Sequence, residues 1–342
     1  MDDISRMSPY ERRAWTEAIE RLNRRDESAA RRLASRVSAP VKSTAVKVWA
    51  KVPLHGDVEG LVTQSLQGLF TVTFGPAMNS VNPAKVAKRV GSPFEQFHTL
   101  DLQMLDKAVP RTRWYYTLGA MAEGGTTAIV VTGAEVSSTV SGGTTAAVAV
   151  AAVATDIAAS IGIMGRIVAK VAAHYGYDTS LPEEELFVLG VISLGTAGSP
   201  ASKTQALSSL SRLTQQMMRQ PTWAQLNKNA WVQLVQKVFD ALGLKLTQQK
   251  LGQAIPFLGV LVNGGLSAEM ADRTFRRARD AYRLRFLADK YGIDPAEWLV
   301  EPNEPPPDDV LSAALESLET RQGYDDEKNA PTSETSSAET ER

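Results

Sequence analysis

Apolar residues recur along most of this chain at three- and four-residue intervals, the period of a helix face. Ala14, Trp15, Ala18, Ile19 and Leu22 mark the first such face. Leu61, Leu66, Leu69 and Phe70 mark the next, and Phe94, Phe97, Met104 and Leu105 a third. Further on, Leu186, Phe187, Leu189 and Val191 belong to one helix and Trp231, Leu234, Val235 and Val238 to another. Ala271, Phe275, Ala278, Tyr282 and Phe286 share one side of a last long helix. Start signals agree with the periodicity. Ser8-Pro9-Tyr10-Glu11 has the form of a capping box with proline at the first helical position. Ser92-Pro93-Phe94-Glu95 repeats it, and Ser180-Leu181-Pro182-Glu183 keeps the serine-to-glutamate spacing. The pattern predicts an all-α fold. A short helix is expected after Ser28, and Gly75 to Gly91 reads as a loop or a broken helix.

Two segments depart from amphipathic spacing. Charge nearly vanishes between Leu118 and Ala173, where Gly124-Gly125 and Gly142-Gly143 punctuate a run of alanine, valine, threonine and serine. Thr144 to Ala173 reads as one helix of small residues, closed by Gly176. A membrane span needs roughly 20 apolar residues. Thr144 to Met164 has that length, but Asp156 near its centre would cost about 2.5–3.5 kcal/mol on insertion. Three readings stay open: a helix packed inside a soluble protein, a membrane-dipping helical hairpin, and a true span. Ile255 to Leu266 is the second apolar, glycine-containing segment. Small residues of this kind let helix backbones approach closely. The expected architecture is a multi-helix bundle around these two small-residue-rich apolar segments. Residues 1–52 form a basic N-terminal helical region and 53–300 the helical domain. Residues 301–342 form a linker bearing Pro305-Pro306-Pro307 and a disordered acidic tail from about Arg321, with a small helix expected over Val310 to Leu318 between them.

Composition narrows the functional classes. The 342 residues include no cysteine, which removes disulfides, thiolate metal sites and cysteine nucleophiles. The three histidines, His55, His98 and His174, lack metal-ligand spacing. Neither a Gly-Lys-Ser/Thr phosphate loop nor a Gly-x-Ser-x-Gly elbow occurs. No cofactor and no metal are expected. A formal net charge of -1, with no basic-aromatic interleaving, argues against nucleic acid as a partner. The start Met1-Asp2-Asp3 is followed by a charged helix without an apolar core, so a cytoplasmic address is expected.

The candidate residues are few. Asp156 and Arg166 lie on the small-residue helix, and His174 and Asp178 at its end. As a polar site, Asp156 would act as base or cation ligand. As structure, it would be a satisfied buried carboxylate that fixes helix register. His174 sits where a helix dipole favours its positive form. Arg276, Arg279 and Arg283 flank the apolar side of the last helix, either as a solvated face or as a contact for lipid phosphate.

At these segments the sequence resembles a known family. Asp156, Arg166, His174-Tyr175-Gly176-Tyr177-Asp178, Pro182-Glu183-Glu184 and Phe187-Val188-Leu189 resemble the central signature of the EcsC family. Lys245-Leu246-Thr247, Ile255-Pro256-Phe257-Leu258-Gly259, Asn263 and Tyr282-Arg283-Leu284-Arg285-Phe286-Leu287 resemble its closing motif. The chain departs from that motif at Val260, Leu261 and Gly264-Gly265. The resemblance runs from about Asp57 to Tyr291. It implies a helical bacterial protein, in some members membrane-associated, from a family named after a protein encoded beside an ABC transporter. The expected function is therefore non-enzymatic: a peripheral protein at the inner face of the cell membrane, its partner an anionic lipid surface or a membrane protein such as a transporter. The alternatives are an enzyme with a polar site near Asp156, His174 and Asp178, and a soluble adaptor.

Overall fold

The computed structural model describes residues 4–24, 55–110, 145–219, 228–252, 264–300, 309–312, 314–317 and 320; within them, residues 55–59, 61, 145–153, 156, 228–229, 248–252 and 264–270 are placed as backbone only. The described residues are mostly helical, and no strand occurs among them. The α-helices run Pro9–Asn23 (α1), His55–Met78 (α2), Pro83–Val90 (α3), Leu102–Ala108 (α4), Thr145–His174 (α5), Pro182–Thr196 (α6), Pro200–Arg219 (α7), Lys228–Gly252 (α8) and Gly264–Tyr291 (α9). The helix expected after Ser28, the glycine pairs at 124–125 and 142–143, the run from Ile255 to Asn263 and the acidic tail lie outside the described residues.

Of the three serine starts, one is used as a cap. Ser8 accepts from the Glu11 amide at 3.2 Å, and Glu11 accepts from the Ser8 amide at 2.9 Å. At Ser92 the chain forms a short 3-10 turn, Phe94–Thr99, without a side-chain cap. At α6 the cap position is Leu181, and the Ser180 hydroxyl donates instead to Asp178. The Gly75–Gly91 stretch is the broken-helix alternative. α2 continues through Pro76 to Met78, and Asn82 then caps α3 with its side-chain oxygen. Pro76 takes one donor from the exposed Val72 position, where water can replace it.

The middle of the molecule is a close contact between α2 and α5. A Cβ at Gly162 would stand 3.1 Å from the Thr73 carbonyl oxygen, so glycine allows the two backbones to touch. Around it Phe70, Phe74 and Phe239 form an aromatic cluster with centroids 5.3–5.9 Å apart. The window Ile157–His174 is long and apolar enough to cross a membrane, but 72% of it is buried inside the fold. That window is packed within the fold, while the side chains of residues 145–153 and 156, in the first part of Thr144 to Met164, lie outside the described residues.

Segments from both ends of the chain pack on the helical domain. α1, placed in a separate N-terminal region, is clasped to α9 by Glu11–Lys290 and Arg21–Asp280 pairs. Val310, Leu311, Ala314 and Leu315, from the short helical run expected after the proline spacer, are buried in the core. Leu311 lies against Gly190 of α6. Both sit where apolar side chains gain by leaving water, which charge counts along the sequence do not register.

Candidate functional site

α9 organises the charged interior. Residues 281–288 are all buried, so this half of the helix has no solvated flank. It lies between α1, α5 and α6, and counter-charges come from α1, α6 and Asp106 of α4.

One cluster centres on Asp106 of α4. Its carboxylate accepts from Tyr10 at 2.7 Å, Tyr175 at 2.6 Å and the Arg283 Nε at 2.8 Å. Asp280, 3.8 Å from Arg283, accepts from Arg21 Nη2 at 2.8 Å and Nε at 2.9 Å. The planar guanidinium suits such two-pronged recognition.

The second cluster centres on Glu184 and Arg285. Arg285 Nη1 donates to Glu184 Oε2 at 2.8 Å, and Nη2 donates to Oε1. The guanidinium lies over the rings of Tyr177 and Phe187, at 4.2 and 4.4 Å from their centroids. Tyr177 donates to Asp289 at 2.6 Å. Burial raises the Glu184 carboxyl above its ordinary range, and the adjacent Arg285 opposes that. Burial alone would lower the Arg285 pKa. Glu184, Tyr177 and Asp289 outweigh it, so Arg285 stays charged.

The turn between α5 and α6 places these tyrosines. Gly176 adopts φ +90, and the Tyr177 amide reaches back to the Ala172 carbonyl at 3.1 Å, a Schellman closure. A Cβ at Gly176 would meet that of Phe97 at 2.8 Å. His98 lies at 3.1 Å from the Gly176 carbonyl, so the turn is pinned from outside as well.

The residues singled out from sequence are dispersed. Asp156 and His174 share one unbroken helix, 18 residues apart, which is roughly 27 Å. The Asp156 side chain lies outside the described residues. His174 is buried, with Nδ1 donating to the Lys170 carbonyl at 2.6 Å. Burial lowers its pKa, with Arg89 and Lys170 adding to the effect, so the imidazole is held neutral, contrary to the helix-dipole expectation. Desolvation outweighs the dipole at a site this enclosed. Asp178 accepts from the Ser180 amide and hydroxyl at 3.0 and 2.8 Å, which is a turn-forming role.

The three arginines of α9 also separate. Arg276 is exposed and paired with Asp272 at 2.5 Å. Arg279 is half-buried near the Tyr10 and Tyr175 hydroxyls. Arg283 is buried on Asp106 and cannot meet a lipid surface. Sequence reasoning missed Asp106 and Asp280 and the pairing of Glu184, Arg285 and Glu11, because their partners on other elements are 69 to 280 residues away. One signal was present: four charged residues, Asp280, Arg283, Arg285 and Asp289, recur within ten positions of a helix already identified as apolar-faced. Two further carboxyls are raised by burial, Glu185 to about 7 and Asp240 to about 6.

The two sequence motifs therefore meet in space. Tyr175, Tyr177 and Glu184 of the first close on Arg283 and Arg285 of the second and on Asp289 just after it, directly or through Asp106. The model of the EcsC protein family matches residues 16–287. This chain belongs to the EcsC protein family. The match starts inside α1, well before Asp57, which agrees with the packing of that helix on α9. No curated protein and no solved structure matches the chain.

Proposed function

We propose that this EcsC-family chain is a non-enzymatic helical protein that acts at the cytoplasmic face of the membrane, as an accessory to a transporter or another membrane protein. The observation that carries the reading is the closed pairing of the motif side chains. Glu184 and Arg285 satisfy each other in the core, as do Asp106 and Arg283, and this engages them in holding α9 to α4 and α6. Such groups brace a scaffold. The competing reading, a reaction at Asp156, His174 and Asp178, requires side chains around one ligand, and α5 spaces the first two roughly 27 Å apart. Membrane contact draws support from sequence. Residues 25–54 hold seven lysines and arginines against two acidic residues, and basic segments of this kind are drawn to anionic lipid at about 1 kcal/mol per charge.

The test is sedimentation of the full chain with vesicles containing anionic lipid. Binding should be substantial at low ionic strength and should weaken as salt is added, since charges further apart than a Debye length are screened. A protein that stays in the supernatant with anionic vesicles at low salt would remove the membrane reading and favour the soluble adaptor.

A further inference from the structure

Along α9, Arg276, Arg279 and Arg283 are spaced so that each lies one turn from the next, on one stripe. The stripe descends from solvent into the fold. The Arg276 side chain is 60% exposed and that of Arg283 is 10% exposed. Arg279 stands between them, half-buried, at the mouth of the Asp106 cluster. Arg21 of α1 joins the same flank through Asp280.

Counter-charge on this flank is one short. Four arginines share three buried or half-buried carboxylates. Asp272 pairs with Arg276 at 2.5 Å, Asp280 with Arg21 at 2.8 Å and Asp106 with Arg283 at 2.8 Å. The exposed Glu17 adds a second contact to Arg21. The Arg279 guanidinium makes no ion pair and no hydrogen bond among the described residues, and its Nε is buried without an acceptor. Its charge nevertheless reaches the interior. Burial and Asp106 raise the pKa of the Tyr10 and Tyr175 hydroxyls, and Arg283 and Arg279 pull both down. Arg279 therefore lies beside the hydroxyls that close on Asp106. A buried N–H left without an acceptor is uncommon and costly in a folded protein. The carboxylates of this flank already serve other arginines, so a bound anion is what would complete it.

We infer that Arg279 anchors an oxyanion site and that its ligand is a phosphate group. A guanidinium presents a planar fork of N–H donors that matches phosphate oxygens two at a time. A carboxylate is filled by that fork, whereas a phosphate keeps further oxygens for Arg276, one turn nearer solvent. The ligand enters from the Arg276 side, because the Arg283–Asp106 pair closes the inner end. The site does not depend on the membrane reading. The phosphate belongs either to a lipid headgroup or to a soluble ester, and the test separates the two.

The test compares the full-length parent with Arg279→Gln and with Lys88→Gln, which removes the same charge from an exposed position on α3. Without phosphate, Arg279→Gln should melt no lower than the parent, since no described contact is lost. A loss of stability there would give Arg279 a structural partner and overturn the site. Inorganic phosphate, against sodium chloride of equal ionic strength, should raise the melting midpoint of the parent and of Lys88→Gln by about 2 °C or more. That is the shift expected when ligand stands roughly tenfold above its dissociation constant. Arg279→Gln should not respond, and an equal shift with acetate would overturn the choice of phosphate. Vesicles of phosphatidylglycerol and phosphatidylcholine form the second arm. If the headgroup is the ligand, Arg279→Gln should sediment several-fold less than Lys88→Gln. A response in the first arm alone assigns a soluble phosphate ester. Equal behaviour of the two variants in both arms overturns the site, while sedimentation of the parent judges the membrane reading separately.

Discussion

Replacing Arg285 by methionine removes the guanidinium but keeps much of the volume over Tyr177 and Phe187. Glu184 is then left buried without its fork of two hydrogen bonds, and its side chain is only 6% exposed. Breaking a buried pair from one side costs about 3–5 kcal/mol. The lost cation–ring contacts add about 0.5–2 kcal/mol, offset in part by methionine sulfur on the same rings. Arg285→Met should therefore destabilise by about 3–5 kcal/mol, a large share of the about 5–15 kcal/mol that holds a typical domain. Glu184→Leu should cost a similar amount, because the buried Arg285 would keep its ring contacts but have as its remaining described counter-charge Asp289, 4.0 Å from its Nε. The double variant removes both buried charges at once. Replacing a buried pair with apolar groups of like volume is often neutral or stabilising by about 1–4 kcal/mol, so the double variant should unfold within about 1 kcal/mol of the parent or later. Urea unfolding followed by far-ultraviolet circular dichroism measures all four proteins, and the cycle should yield a coupling of at least about 3 kcal/mol. If Arg285→Met costs less than about 1 kcal/mol, or if the two single effects simply add, the pair is not what joins the two motifs and the brace reading fails.

Two other expectations concern the α5–α6 turn and the α1 clasp. Gly176→Ala should cost about 1–2 kcal/mol for a left-handed alanine, plus about 1–3 kcal/mol for the clash with Phe97. Gly91→Ala, with φ +84 but open space around its Cβ, should show only the first cost, so equal thermal shifts for the two variants would contradict the packing account. For Glu11, burial pushes the carboxyl up, but hydrogen bonds from Lys290, the Ser8 amide and Tyr291 bring it down to about 2 from 4.5. A depressed carboxyl stabilises the fold fully above its unfolded pKa and loses that contribution as pH falls through the folded value. The difference in melting temperature between parent and Glu11→Gln should be largest above pH 4.5 and shrink toward pH 2, and a difference that ignores pH would refute the clasp.

The helices themselves were legible because helix formation leaves a local record: apolar spacing of 3.6, a Ser8–Glu11 box, a left-handed Gly176. The small-residue character of α5 likewise announced a close helix contact, realised at Gly162 against Thr73. Family membership was legible for the same reason, since the two motifs are contiguous stretches of residues. What each charge does was not. Arg276 and Arg283 look alike along the helix, yet one is exposed and the other lies on Asp106, 177 residues earlier. His174 follows the dipole rule by position and departs from it by burial. Sequence specifies propensity through neighbours a few bonds away. The charge state, exposure and partner of a side chain depend on the dielectric and counter-charges around it, and in this bundle those come from helices distant in the chain.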